Sequence, residues 1–129
     1  MISFQTFRQT DGTPIYLQII RYIQQGLAAG TIQDGDELPS RRVVSALLAV
    51  NPNTVQKAFR LLEDEGLVTS RAGAKSFIQA APEQIAALRR ELLETEMQAM
   101  VDAARRMGLT REDAHRLLDT LYDREGTDA

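Results

Sequence analysis

Leu38-Pro39-Ser40-Arg41-Arg42-Val43-Val44-Ser45-Ala46-Leu47-Leu48-Ala49-Val50-Asn51-Pro52-Asn53-Thr54-Val55-Gln56-Lys57 holds two helix starts in quick succession. Pro39 pushes Leu38 out of the helical region, and Ser40 then caps a short helix over residues 41–48. Asn51 reads as a second N-cap and Pro52 as the first residue of the next helix. That helix runs to residue 65 with Val55, Phe59 and Leu62 on one side, and Gly66 stops it. Only Ala49 and Val50 separate the two helices from the second cap, so they cross steeply instead of forming a long antiparallel hairpin. At 1.5 Å per residue the second of them is about 21 Å long, enough to cross the major groove of a duplex.

Working outward, Ile15, Ile19, Ile20, Ile23 and Leu27 recur at three- and four-residue steps and predict an amphipathic helix over residues 15–29. Pro14 suits its first turn and Gly30 its C-terminal cap. The segment before it is read as a polar start, and residues 35–40 as a turn or short extended piece. After Gly66 the pattern changes to extended runs at residues 67–70 and 75–78, a small hairpin with the basic tip Arg71-Ala72-Gly73-Ala74. Pro82 opens a long helix with Ile85, Leu88, Leu92, Met97, Met100, Val101, Ala104 and Met107 on its apolar side, ended by Gly108. Thr110-Arg111-Glu112-Asp113 caps a last helix striped by Leu117, Leu118, Leu121 and Tyr122, and the tail from residue 126 frays. The fold class expected is mainly α with a small β-hairpin wing: a winged helix-turn-helix domain over residues 1–80, then a two-helix dimerisation segment over residues 81–129.

Among the 129 residues there is no cysteine, which excludes a disulfide framework, a thiolate zinc site, an iron–sulfur cluster and a cysteine nucleophile together. The lone His115 has no second ligand at helical spacing, so no metal and no cofactor is expected. Carboxylates without a neighbouring base or nucleophile do not make an enzyme, and no glycine-rich phosphate loop is present. With no basic-then-apolar leader and no membrane-length apolar run, a cytoplasmic protein without membrane contact is expected. The net charge of −3 is unevenly spread. Residues 1–80 hold 8 basic and 7 acidic side chains, whereas residues 81–129 hold 7 and 11. Between residues 41 and 75 stand Arg41, Arg42, Lys57, Arg60, Arg71 and Lys75 against Glu63, Asp64 and Glu65. A basic face on an acidic protein is what a polyanion would meet, since the local face and not the total governs contact.

The second helix of the pair is the candidate reader. Its first turns offer Asn51, Asn53, Thr54, Gln56 and Lys57, side chains able to reach base edges or phosphates from a helix end in the major groove. Arg60, deeper in the helix, could serve there or pair with Glu63 or Asp64. In order and spacing, five stretches carry a resemblance: Pro14-Ile15-Tyr16-Leu17-Gln18-Ile19, Gly35-Asp36-Glu37-Leu38-Pro39-Ser40-Arg41-Arg42, Val50-Asn51-Pro52-Asn53-Thr54-Val55, Leu61-Leu62-Glu63-Asp64-Glu65-Gly66-Leu67-Val68 and Arg71-x-Gly73-x-x-Ser76-Phe77-Ile78. Over about residues 14–80 the chain resembles the GntR family of bacterial transcription regulators, and within it the short YtrA-like branch. The resemblance implies that Ser40, Arg41 and Arg42 meet DNA from the start of the second helix, and that Arg71, Gly73 and Lys75 touch the minor groove from the wing. Two positions depart from the family pattern: Ala49 stands where a glycine is usual, and Gly73-Ala74-Lys75 replaces Gly-x-Gly.

Some 48 residues remain after the wing, too few for an enclosed ligand domain of the kind that larger family members append. Two amphipathic helices that cannot bury both apolar sides on so small a partner predict a homodimer interface made of Ile85, Leu88, Leu92, Met97, Met100, Val101, Ala104, Met107, Leu117, Leu118 and Leu121. The expected partners are therefore double-stranded operator DNA and a second copy of the chain; no small-molecule effector is legible. The YtrA-like resemblance further implies a repressor, often encoded beside ABC-transporter genes. The alternative for the same fold is a protein-interaction module without selective DNA binding.

Overall fold

The computed structural model describes residues 1–71 and 75–126. In chain order the elements are α1 (Ile15–Ala29), β1 (Glu37–Leu38), α2 (Arg41–Leu48), α3 (Pro52–Asp64), β2 (Val68–Arg71), β3 (Lys75–Ile78), α4 (Pro82–Arg106) and α5 (Arg111–Gly126). They fall into two compact units, Met1–Arg90 and Glu91–Ala129.

The first unit is organised around α3. Val55, Ala58, Phe59 and Leu62 recur at helical spacing and are fully buried, packed with Ile19, Ile23 and Leu27 of α1 and Val44 of α2. Each large aliphatic or aromatic side chain so buried contributes about 1.5–3 kcal/mol relative to exposure. The start signals act as read: Ser40 Oγ accepts from Val43 N–H at 3.1 Å, and Asn51 Oδ1 accepts from Asn53 N–H at 2.8 Å with Pro52 opening α3. Pro14 stands just outside α1, extended at ψ 140°, and Gly30 closes that helix in the left-handed region. Helix α3 stops at Asp64, one residue short of the expected end, because Glu65 serves as its C-cap before Gly66 turns at φ +81°.

Two parts of the unit go beyond the expectation. The short piece before Ser40 is a strand: β1 pairs antiparallel with β3, and the sheet order is β1-β3-β2. The polar start is a strap that belongs to the core. Ile2, Phe4 and Phe7 are buried; Phe4 stacks on Tyr22 of α1 with ring centroids 5.1 Å apart, and Phe7 meets the same ring edge-on at 5.4 Å. Ile2 N–H donates to the Glu37 carbonyl at 2.8 Å, and Gln9 Nε2 donates to the Leu48 carbonyl at 2.8 Å, where α2 ends. Gln18 ties the strap to α1, its amide bonding Thr10 and Thr13.

The unit also extends past residue 80. Ile85 and Leu88, expected at a subunit interface, are instead half-buried against the core of their own unit, and Arg89 Nε donates to the Ala28 carbonyl at 2.9 Å. In the second unit, the rest of α4 and α5 contain no fully buried residue among those whose side chains are described. The N-terminus of α5 is capped as read, with Asp113 N–H donating to Thr110 Oγ1 at 3.1 Å. An ion pair with Arg116, together with Thr110, holds the Asp113 carboxyl below its ordinary range. The expected fraying tail lies, beyond residue 126, outside the described residues.

Between α2 and α3 the chain turns through Ala49 at φ 55°, ψ 47°, the one non-glycine residue with positive φ among those described. Its N–H bonds the Ala46 carbonyl at 3.3 Å, and Val50 N–H bonds Ser45 at 3.1 Å, so the turn closes as a left-handed helix cap. A β-carbon there costs about 1–2 kcal/mol, partly offset by the greater chain entropy of glycine. Ala49→Gly therefore raises the free energy of unfolding by roughly 0.5–1 kcal/mol, measured as a higher midpoint in urea.

Candidate nucleic-acid interface

Burying one side of α3 fixes what the other side shows. Asn53, Gln56, Lys57, Arg60 and Asp64 are exposed, and at 100° per residue they lie opposite the Val55, Ala58, Phe59 and Leu62 stripe. Four of these five are amides or cations able to meet base edges and phosphates. Arg60 belongs to this stripe, which resolves the choice left open by spacing: Glu63, its potential partner, is taken by Arg41 and Ser70.

The remaining residues of the expected site divide by what already holds them. Asn51 is exposed, but its side-chain oxygen is used in capping, so Asn53 is the amide with both ends unengaged in that cap. Thr54 is half-buried. Lys57 Nζ sits 4.0 Å from the centroid of the Tyr16 ring, which fixes the ammonium while leaving it at the surface. Ser40 is exposed and spends its hydroxyl on Val43. Arg42 is exposed at the first turn of α2. Its neighbour Arg41 is turned inward: Nη2 lies 3.2 Å from Glu63 Oε1, and the guanidinium carbon is 5.3 Å from the Phe59 ring centroid.

In the hairpin, Arg71 and Lys75 are cross-strand partners and both are exposed. Like charges directly opposite are unfavourable in an isolated sheet and are relieved by a polyanion. Arg71 is further steadied by lying 4.3 Å over the Phe77 ring. Gly73, also expected in the site, lies outside the described residues. Among the described residues no group of His, Asp or Glu is placed to hold a metal ion, and no helix is long and apolar enough to cross a membrane.

A steeply turned helix pair, an amide- and cation-bearing outer stripe on its second helix and a basic hairpin behind it define a winged helix-turn-helix of the DNA-binding class. Residues 15–78 match the family described as bacterial regulatory proteins, gntR family. The chain is 35% identical over 100 residues to the HTH-type transcriptional regulator YhcF of Bacillus subtilis, a match covering 78% of this chain and 83% of YhcF. It is 40% identical over 68 residues to the HTH-type transcriptional repressor YtrA of the same organism, spanning 53% of this chain and about half (52%) of YtrA. A solved GntR family transcriptional regulator from Listeria monocytogenes superimposes with a TM-score of 0.79 at 26% identity, covering 87% of this chain and 98% of that one. The chain belongs to the gntR family: it is a DNA-binding transcriptional regulator of the helix-turn-helix type, and the family consists of regulators, not enzymes.

The cation–π contact carries its own test. A double-mutant cycle of Tyr16→Leu and Lys57→Ala in urea denaturation returns a coupling of about 0.5–1 kcal/mol, the magnitude for a surface pair. Additive effects would mean that Tyr16 does not hold Lys57.

Proposed function

We propose that the protein is a repressor that binds a two-fold symmetric operator as a homodimer in the cytoplasm. The observation that carries this reading is the opposition of two stripes on α3, one sealed in the core and one offering Asn53, Gln56, Lys57 and Arg60. Arg42 and the wing pair Arg71 and Lys75 supply phosphate contacts, Asn53 and Gln56 the choice of sequence, and Gly73 a close approach to the minor groove. Resemblance to YtrA, a repressor by name, favours repression over activation.

The dimer reading rests on the second unit. Met97, Met100 and Leu117 are 48%, 50% and 51% exposed, and Leu93, Val101 and Leu121 are exposed with them; Leu92, Ala104 and Leu118 are only half-buried. Leu93 was not legible as part of this face, although it stands four residues before Met97. Helices that leave so many apolar side chains in water gain from a second copy, and paired subunits would set two reading helices ~10 bp apart, or a multiple of it, on the duplex.

Fluorescence anisotropy of duplex from the upstream region of the gene, against a scrambled duplex, tests the whole reading. Selective binding saturates at two subunits per duplex, and Arg42→Ala lowers the slope of log K against log salt by about 0.9. Met100→Glu with Leu117→Glu yields a monomer in sedimentation and weakens operator binding by about 10²-fold or more, since the second half-site no longer binds intramolecularly. Equal weak binding to every duplex would instead favour a protein-interaction module.

A further inference from the structure

The sequence sets two arginines side by side at the start of α2, and the structure separates their roles. Glu63 Oε1 is a shared acceptor: Arg41 Nη2 donates to it from α2 at 3.2 Å and Ser70 Oγ from β2 at 2.9 Å. Glu63 itself stands on α3, so one carboxylate joins the first helix of the pair, the reading helix and the first strand of the wing. Arg41 is 28% exposed and Glu63 34%, and the Arg41 guanidinium lies over the buried Phe59. Arg42, one residue on, is exposed.

We propose that Arg41 is a positioning residue that acts through Glu63 and Ser70 to hold the wing against the reading helix, and that it does not contact phosphate. The proposal refines the DNA-binding reading and rests on it for its effect on affinity. For Arg41 to swing to a phosphate, Glu63 would be left without its counter-charge on the side of the protein that meets a polyanion, and the guanidinium would leave Phe59. Breaking one partner of a part-buried pair costs more than an exposed pair is worth, so the bracket outlasts the encounter with DNA. Ser70 is the residue before Arg71, and anchoring it fixes where the wing cations emerge.

The protein's own Arg–Glu geometry offers a charge-balanced test. In Arg41→Gln with Glu63→Gln the amides still donate and accept, net charge is unchanged, and a positive charge is removed only from position 41. As a positioning pair, this double variant keeps the wild-type slope of log K against log salt on both operator and random duplex. A phosphate contact by Arg41 would lower that slope by about 0.7–0.9, and that result overturns the proposal. A second arm uses the free protein. Glu63→Ala, and separately Arg41→Ala, speeds hydrogen exchange at the β2 amides by about tenfold while α1 exchange is unmoved. Unchanged β2 exchange in both variants also overturns the proposal, whatever the DNA result. Wild-type protein that fails to prefer any duplex would sink the operator reading alone, because the exchange arm still reads the bracket.

Discussion

Everything else in the first unit follows from the complete burial of one side of α3. Val55, Ala58, Phe59 and Leu62 leave no room for α1 or α2 to lie elsewhere, since a close-packed interior transmits a displacement of one helix to its neighbours. The same packing turns the opposite stripe outward without any further device. Recognition chemistry in this molecule is thus a by-product of core formation: the residues that seal the core and those that face the groove alternate along one helix, and neither set can be rotated without the other.

Much of this was legible because its signals are local. Ser40, Asn51 and Pro52 act within three residues of the groups they cap or open, and the apolar periods of α1 and α3 need no knowledge of their partners. What escaped were contacts between residues distant in the chain. Ile2, Phe4 and Phe7 form no helical period and too short an alternation to stand out, and their partners Tyr22 and Glu37 are supplied by other elements. The two residues of β1 gain strand character only by pairing with β3.

The candidate site divides in the same way. Which face of α3 points outward was readable from its period, but which cations remain at the surface was not. Arg41 and Arg42 are identical letters one step apart, and 100° of helical rotation sends one over Phe59 toward Glu63 and leaves the other in solvent. Arg60 had two plausible fates on spacing alone, and the choice was made by Ser70 and Arg41 claiming Glu63 first. For Ile85 and Leu88 the apolar period was real, yet a period shows only that a face is covered. Here the cover is the chain's own core.

The sheet order β1-β3-β2 also governs the order in which the unit can be completed. The central strand is the last of the three in the chain, so as the polypeptide leaves the ribosome both edge strands wait for residues 75–78 before either has a neighbour. The strap residue Ile2, which bonds to Glu37 beside β1, is synthesised first and gains a finished docking edge only then. Helix pairing can begin locally, but closure of the wing and seating of the N-terminus belong to one late event with a large sequence separation, the step that loop-closure entropy slows most.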